Sequence, residues 1–165
     1  MNIITKIEVG KRNKERVNIY IDEEYAFSIS AELIYKENIK VKDKIDVDSL
    51  KKLADEDNYI KCKNTALKTI ERTYKSEKEL AQKLALKGYD DHIINRTINF
   101  MKEYNLLNDN NYATMYVKDK SRNIGKKKIK YSLLQKGIDE EIIESDDILD
   151  ITGNEEFIFI ATANG

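Results

Sequence analysis

Leu80-Ala81-Gln82-Lys83-Leu84-Ala85-Leu86-Lys87-Gly88-Tyr89-Asp90-Asp91-His92-Ile93-Ile94 decides the fold, because its pattern occurs twice. Ile129-Lys130-Tyr131-Ser132-Leu133-Leu134-Gln135-Lys136-Gly137-Ile138-Asp139-Glu140-Glu141-Ile142-Ile143 repeats its apolar positions, its Lys-Gly pair and its Asp, each displaced by the 49 positions between Leu80 and Ile129. Leu80 and Leu84 lie four residues apart and share a helix face. Gly88 sits where a left-handed residue ends a helix. Asp90 can cap the next helix, whose stripe is Ile94, Ile98 and Met101 or Tyr104. Each unit holds about three short helices and cannot bury its apolar face alone. The expected fold is therefore mainly α, with tandem three-helix repeats stacked in an elongated array.

Upstream, Leu50, Leu53, Tyr59, Ala66 and Ile70 fall near one helix face, with room for a break at Asp55 to Asn58. Ser76-Glu77-Lys78-Glu79 has the form of a capping box. Asn105 to Asp109 turns the chain, and Tyr112, Ala113, Tyr116 and Val117 open a further helix. Before Asp48 the period is that of strands. Ile3 to Val9, Val17 to Ile21 and Tyr25 to Ile29 read as a small antiparallel β meander, Ser30 caps a short helix over Ala31 to Lys36, and Val41 and Ile45 suit a short extended piece. Four segments follow: a β-rich module at 1–47, a first three-helix repeat at 48–107, a second at 108–150, and a divergent acidic and apolar tail at 151–165. In the second repeat Asp146, Asp147 and Asp150 replace Thr97, Ile98 and Met101 of the first. Buried carboxylates are costly, so its last helix is altered. Phe157-Ile158-Phe159-Ile160 beyond it is strand-like.

The chain has 165 residues, 36% of them charged, and a net charge of −1. That total hides a split. Nine acidic residues and no Lys or Arg fall from Asp139 to Gly165, which leaves +8 on residues 1–138. No run approaches the roughly 20 apolar residues of a membrane span, and the first residues lack a signal-peptide core. A cytoplasmic protein with no membrane partner is expected. One Cys (Cys62) and one His (His92) make a zinc site or an internal disulfide a poor expectation. No phosphate loop of the form Gly-x-x-x-x-Gly-Lys-Ser/Thr occurs. No catalytic residue, metal or cofactor is expected, and Cys62 reads as a small helix-face residue.

The basic stretch is more informative. Lys118, Lys120, Arg122, Lys126, Lys127, Lys128 and Lys130 face one acid, Asp119, around a loop at Asn123 to Gly125. Cations at a helix start oppose its dipole, and a phosphate backbone or acidic groove would offset that cost. Lys68, Arg72, Lys75 and Lys78 form the counterpart in the first repeat. These eleven residues are the candidate filament- or DNA-binding set; a solvated basic loop is the alternative. Only Arg12, Arg16, Arg72, Arg96 and Arg122 are arginine, so contacts to phosphate rather than bidentate base reading are expected. The tyrosines fit packing better than base stacking.

Four stretches in order resemble the RecX family, regulators of the RecA recombinase: Ser76-Glu77-Lys78-Glu79-Leu80, Lys87-Gly88-Tyr89-Asp90, Leu106-Leu107-Asn108-Asp109-Asn110-Asn111-Tyr112-Ala113, and Gly125 through Lys136-Gly137-Ile138-Asp139. The β-rich start is similar to the N-terminal extension of Gram-positive members. The resemblance covers about residues 1–144. It implies three tandem three-helix repeats lying in the groove of the RecA–DNA filament, and modulation of recombinase, usually inhibition. It implies no catalysis by the RecX-like chain, and the expected state is a monomer. After about Ser145 this chain departs from the pattern, as a truncated or frameshifted product would. A stand-alone, sequence-nonspecific DNA-binding protein is the second reading, and a nuclease a third.

Overall fold

A computed structural model describes residues 2–145. The expectations for Asp146, Asp147, Asp150 and residues 157–160 lie outside the described residues. The described chain is mainly helical, with seven helices and an antiparallel sheet at its N-terminal end. The described residues divide into two compact units: 2–72 with 81–100, and 73–80 with 101–145.

In the first unit, β1 (Asn2–Val9), β2 (Arg16–Ile21) and β3 (Glu24–Ser30) form the meander. Alternation sets the register: Ile7 opposes Ile19, Ile19 opposes Phe27 and Val17 opposes Ile29. Val17, Ile19, Ile21, Phe27 and Ile29 are buried with Ile4, Leu33, Leu50 and Ala54 in one core. The β2–β3 connection is Asp22-Glu23, with φ of 50° and 71°. Two positive φ values make the type I′ turn that matches hairpin twist. Neither residue is glycine, and local bonds offset the strain. The Asp22 carboxylate accepts from Asn2 at 2.6 Å and from the Ile3 N–H at 3.1 Å, and the Thr5 hydroxyl accepts from the Glu23 N–H at 2.9 Å. The extended piece holds at Ile45 but not at Val41, which lies exposed in the preceding turn; β4 (Lys44–Ile45) pairs with Asn2 and Ile3, so the sheet has four strands in the order β3-β2-β1-β4.

Ser30 caps α1 (Ala31–Lys36), accepting from the Leu33 N–H at 3.1 Å. The next helix corrects two expectations. α2 (Val47–Arg72) runs unbroken through Asp55 to Asn58, because those polar side chains find partners off the helix. Asp55 meets His92 at 2.9 Å, Asp57 accepts from the Ser30 hydroxyl at 2.6 Å, and the Asn58 amide donates to the Ser28 carbonyl at 2.7 Å. The buried face runs through Leu50, Ala54, Asn58, Cys62, Ala66 and Thr69, while Leu53 is exposed. Short side chains along that line let α2 lie close against β3.

α3 (Glu77–Leu86) and α4 (Asp91–Glu103) follow. Gly88, at φ 96°, ends α3 as the spacing predicts. The Tyr89 N–H reaches back to the Leu84 carbonyl at 3.3 Å and the Gly88 N–H to Ala85 at 3.0 Å, the paired bonds of a Schellman ending. Asp90 stands at the start of α4, yet its carboxylate turns to the sheet, accepting from the Tyr25 hydroxyl at 2.8 Å and the Ser28 N–H at 3.3 Å.

In the second unit, Ser76 and Glu79 form the capping box: the Ser76 N–H donates to Glu79 at 3.1 Å and the Glu79 N–H to the Ser76 hydroxyl at 3.2 Å. α5 (Asp109–Lys120), α6 (Lys126–Gln135) and α7 (Glu140–Ile143) pack on one another. Their core is Tyr112, Ala113, Val117, Ile129, Leu133, Ile138 and Ile143. Gly137, at φ 82°, repeats the ending of Gly88: the Ile138 N–H meets the Leu133 carbonyl and the Gly137 N–H meets Leu134, both at 3.0 Å.

Candidate nucleic-acid interface

The second unit places its cations around the α5–α6 turn. Burial of Val117 and Ile129 anchors the two helices, and the Ser121, Asn123 and Ile124 N–H groups close the turn on the carbonyls of Val117 and Lys120. Lys118 and Lys120 lie in the last turn of α5, where cations suit the dipole. Lys120 stands 3.8 Å from Asp119. Arg122 is exposed in the turn itself.

α6 begins in the opposite sense. Its N-cap, Gly125, has no side chain to accept a backbone N–H, and its first turn contains no acid. Lys126, Lys127 and Lys128 occupy that turn and are all exposed. At the matching positions of the first repeat stand Ser76, Glu77, Lys78 and Glu79, with a capping box and two acids. The start of α6 thus combines a cap position that makes no side-chain hydrogen bond with three lysines, an arrangement that weakens the helix and favours an anion.

The other candidates are used differently. Lys130 pairs with Glu144 at 2.7 Å and Glu140 at 3.7 Å. The hydrogen bond to Glu144 raises its pKa, and Lys130 in turn lowers that of Glu144. Its charge is largely answered within the chain. Lys78 lies against Gly137 and donates to the Gln135 carbonyl at 3.4 Å, serving the end of α6. Lys75 is half-buried in the same unit. Lys68 and Arg72 are exposed on the last turns of α2, in the first unit.

A polar cluster holds the cap of α3. Glu79 lies 3.5 Å from Lys136. Burial works against its ionised form, but the Ser76 N–H, the Tyr112 hydroxyl and Lys136 together hold its pKa below the ordinary value. Burial first, then Glu79, raises the pKa of Tyr112. The ring of Tyr112 stacks with Tyr74 at 6.0 Å and with Tyr116 at 6.3 Å, so at least these tyrosines pack against each other.

Sequence reasoning missed Arg16. It precedes the alternating run of β2 and is 3% exposed, with its guanidinium carbon 4.4 Å from the centre of the Tyr89 ring. Period alone assigns it no inward position; the Gly88 turn and the Tyr89 ring, distant in sequence, lie against it in the fold. For chemistry, Cys62 is buried and its thiol is pushed up to about 11 by burial. Among the described residues no group of three or more His, Cys, Asp or Glu could hold a metal ion, and no helix is long and apolar enough to cross a membrane.

Fold and site together define a protein of tandem three-helix units that follow, in sequence, a small antiparallel sheet, with a cationic turn in the second. Family models match in that order: the regulatory protein RecX N-terminal domain over residues 2–46, the first RecX three-helix domain over 62–101, and the second over 108–145. The chain is 58% identical over 143 residues to the regulatory protein RecX of Clostridium botulinum (strain Alaska E43 / Type E3), covering 87% of this chain and 68% of that protein. It is 43% identical over 145 residues to that of Clostridioides difficile (strain 630), with the same coverage. A crystal structure of regulatory protein RecX aligns with a TM-score of 0.57 at 27% identity, over 91% of this chain and 73% of the other. RecX from Lactobacillus salivarius aligns with the same score at 32% identity, over 66% and 73%. The chain belongs to the RecX family of regulatory proteins.

Proposed function

We propose that this chain binds the filament formed by a RecA-type recombinase on DNA and restrains its activity, as a cytoplasmic, monomeric regulator and not as an enzyme. The RecX resemblance supplies the partner. The single observation that carries the contact is the first turn of α6, where Lys126, Lys127 and Lys128 surround an uncapped helix start. That arrangement costs helix stability and is offset by phosphate. Lys118, Lys120 and Arg122 extend it, and Lys68, Arg72 and Lys75 add charge elsewhere on the chain. Lys78 and Lys130 contribute less, because each already has a partner within the chain. Lysine-dominated contact reads phosphate and not base edges, so binding is sequence-nonspecific.

The test is recombinase ATP hydrolysis on single-stranded DNA as the chain is titrated in. The wild-type chain lowers turnover, and the K126Q/K127Q/K128Q variant lowers it less at the same concentration. Unchanged turnover with the wild-type chain overturns the reading. DNA binding without any effect on turnover replaces it with a stand-alone DNA-binding protein.

A further inference from the structure

A pocket of about 530 Å³ opens in the first unit where the end of the hairpin loop and the start of α1 face α2, and Arg16 forms part of its wall. Arg16 has an unusual environment. Nη2 donates to the Ser28 hydroxyl at 2.8 Å, while Nε and Nη1 are buried without a hydrogen-bond partner. Among the described residues no carboxylate stands within ion-pair distance of it. Burial lowers its pKa and outweighs the opposing influence of Tyr89, Asp90 and Asp57. Both carboxylates are already engaged, Asp57 by Ser30 and Asp90 by Tyr25 and Ser28. Arginine stays protonated in proteins, so this is a buried positive charge only partly compensated inside the fold.

Three lysines line the same pocket: Lys14, Lys61 and Lys68. Lys61 pairs with Glu32 at 2.6 Å. Lys14 and Lys68 are exposed and have no ion-pair partner among the described residues. Counted with Glu15 and Glu32, the lining carries four positive and two negative charges. Asn64 and Thr65 add polar side chains on α2. A concave, net positive surface backed by a desolvated guanidinium raises the local concentration of anions, and several separate donors suit the oxygens of a tetrahedral anion.

We propose that this pocket is a phosphate-binding site, with Lys14 and Lys68 as the contacting cations and Arg16 as the buried charge behind them. The phosphate belongs either to a free phosphorylated molecule or to a nucleic-acid strand. Because Nε and Nη1 are themselves covered, Arg16 acts through its field. This site shares Lys68 with the filament reading but does not rest on it, since that reading is carried by Lys126, Lys127 and Lys128 at the start of α6.

The experiment is a heteronuclear NMR titration of the full chain with inorganic pyrophosphate and, separately, with a short oligothymidine. Amide shifts are expected at Ala31, Asn64 and Thr65, with a shift of the Arg16 Nε–H resonance. The K14Q/K68Q variant changes only exposed side chains, retains the wild-type spectrum elsewhere, and weakens binding by about tenfold or more. Shifts with pyrophosphate alone identify a free ligand; shifts with oligothymidine alone identify a strand phosphate; shifts with both identify a site open to either. No shift at these residues with either probe, or equal affinity in the double variant, overturns the proposal and leaves the filament reading standing.

Discussion

The Ser76 hydroxyl donates to the Lys136 carbonyl at 2.6 Å, so the residue that caps α3 also binds the residue that ends α6. The same oxygen accepts from the Glu79 N–H, and Ser76 is fully buried. Replacing it removes a helix cap and leaves a carbonyl without its donor. Ser76→Ala is expected to cost about 1–3 kcal/mol. Urea denaturation would show it as a lower midpoint at nearly constant slope; an unchanged midpoint would contradict the shared role. Gly125, at the matching position of the second repeat, has no hydroxyl with which to make such a bond.

Gly88 and Gly137 share a left-handed backbone but not a neighbourhood. A Cβ on Gly88 would meet the Arg16 side chain at an ordinary 3.6 Å, whereas on Gly137 it would overlap the stem of Lys78. Gly88→Ala should therefore lose roughly 1–2 kcal/mol from backbone strain alone. Gly137→Ala should lose more, because Lys78 must also move. Thermal melts of the two variants test the order, and equal losses would mean that Lys78 yields freely.

Acid titration should separate Glu79 from Asp109. Glu79 has a folded pKa below its ordinary 4.5. Its contribution is complete above that value and is lost as pH falls through the folded pKa. Asp109 behaves oppositely: burial raises its pKa despite the Glu77 N–H, so protonation on acidification favours the folded state. Melting temperatures between about pH 3 and 7 should fall less steeply for Glu79→Gln than for wild type, and more steeply for Asp109→Asn. Parallel curves for all three would remove both assignments.

Neutralising the start of α6 should move stability and binding in opposite directions. Each of Lys126, Lys127 and Lys128 opposes the helix dipole, so the triple Gln variant should gain a few tenths of a kcal/mol per residue. Its affinity for DNA should fall, and its salt dependence should flatten by somewhat under one log unit per lost phosphate contact. Lys130→Gln, already paired with Glu144, should leave that salt dependence nearly unchanged. Fluorescence anisotropy at several salt concentrations distinguishes the two cases.

Cys62 should be inert while the chain is folded. It is fully buried on α2 with its thiol pushed up to about 11, and the thiolate is the reactive form. A thiol reagent at neutral pH should label it only as the protein unfolds, at the rate set by denaturant. Rapid labelling under native conditions would contradict the packing of α2.

Periodicity carries far in this chain. The Leu80 and Ile129 patterns, Gly88 and Gly137, and the Ser76 box each specify local structure through contacts a few residues away, and each is found as expected. Reading fails where a residue's partner lies far along the chain. α2 continues through Asp55 to Asn58 because His92, Ser30 and Ser28 receive their polar groups. Asp90 turns from its own helix to β3 for the same reason. The basic turn of the second repeat was legible as charge, but not which of its lysines are already paired.

The sequence by itself determined the tandem helical units, their glycine endings, the strand-rich start and the cationic segment, since helix faces, caps and net charge are properties of neighbouring residues. Tertiary structure alone decided that Lys130 belongs to Glu144, that Lys78 lies against Gly137, and that Arg16 is buried beside Tyr89 at the wall of a positive pocket. Those outcomes depend on which charges the folded chain brings together and removes from water, and no local pattern encodes that distance.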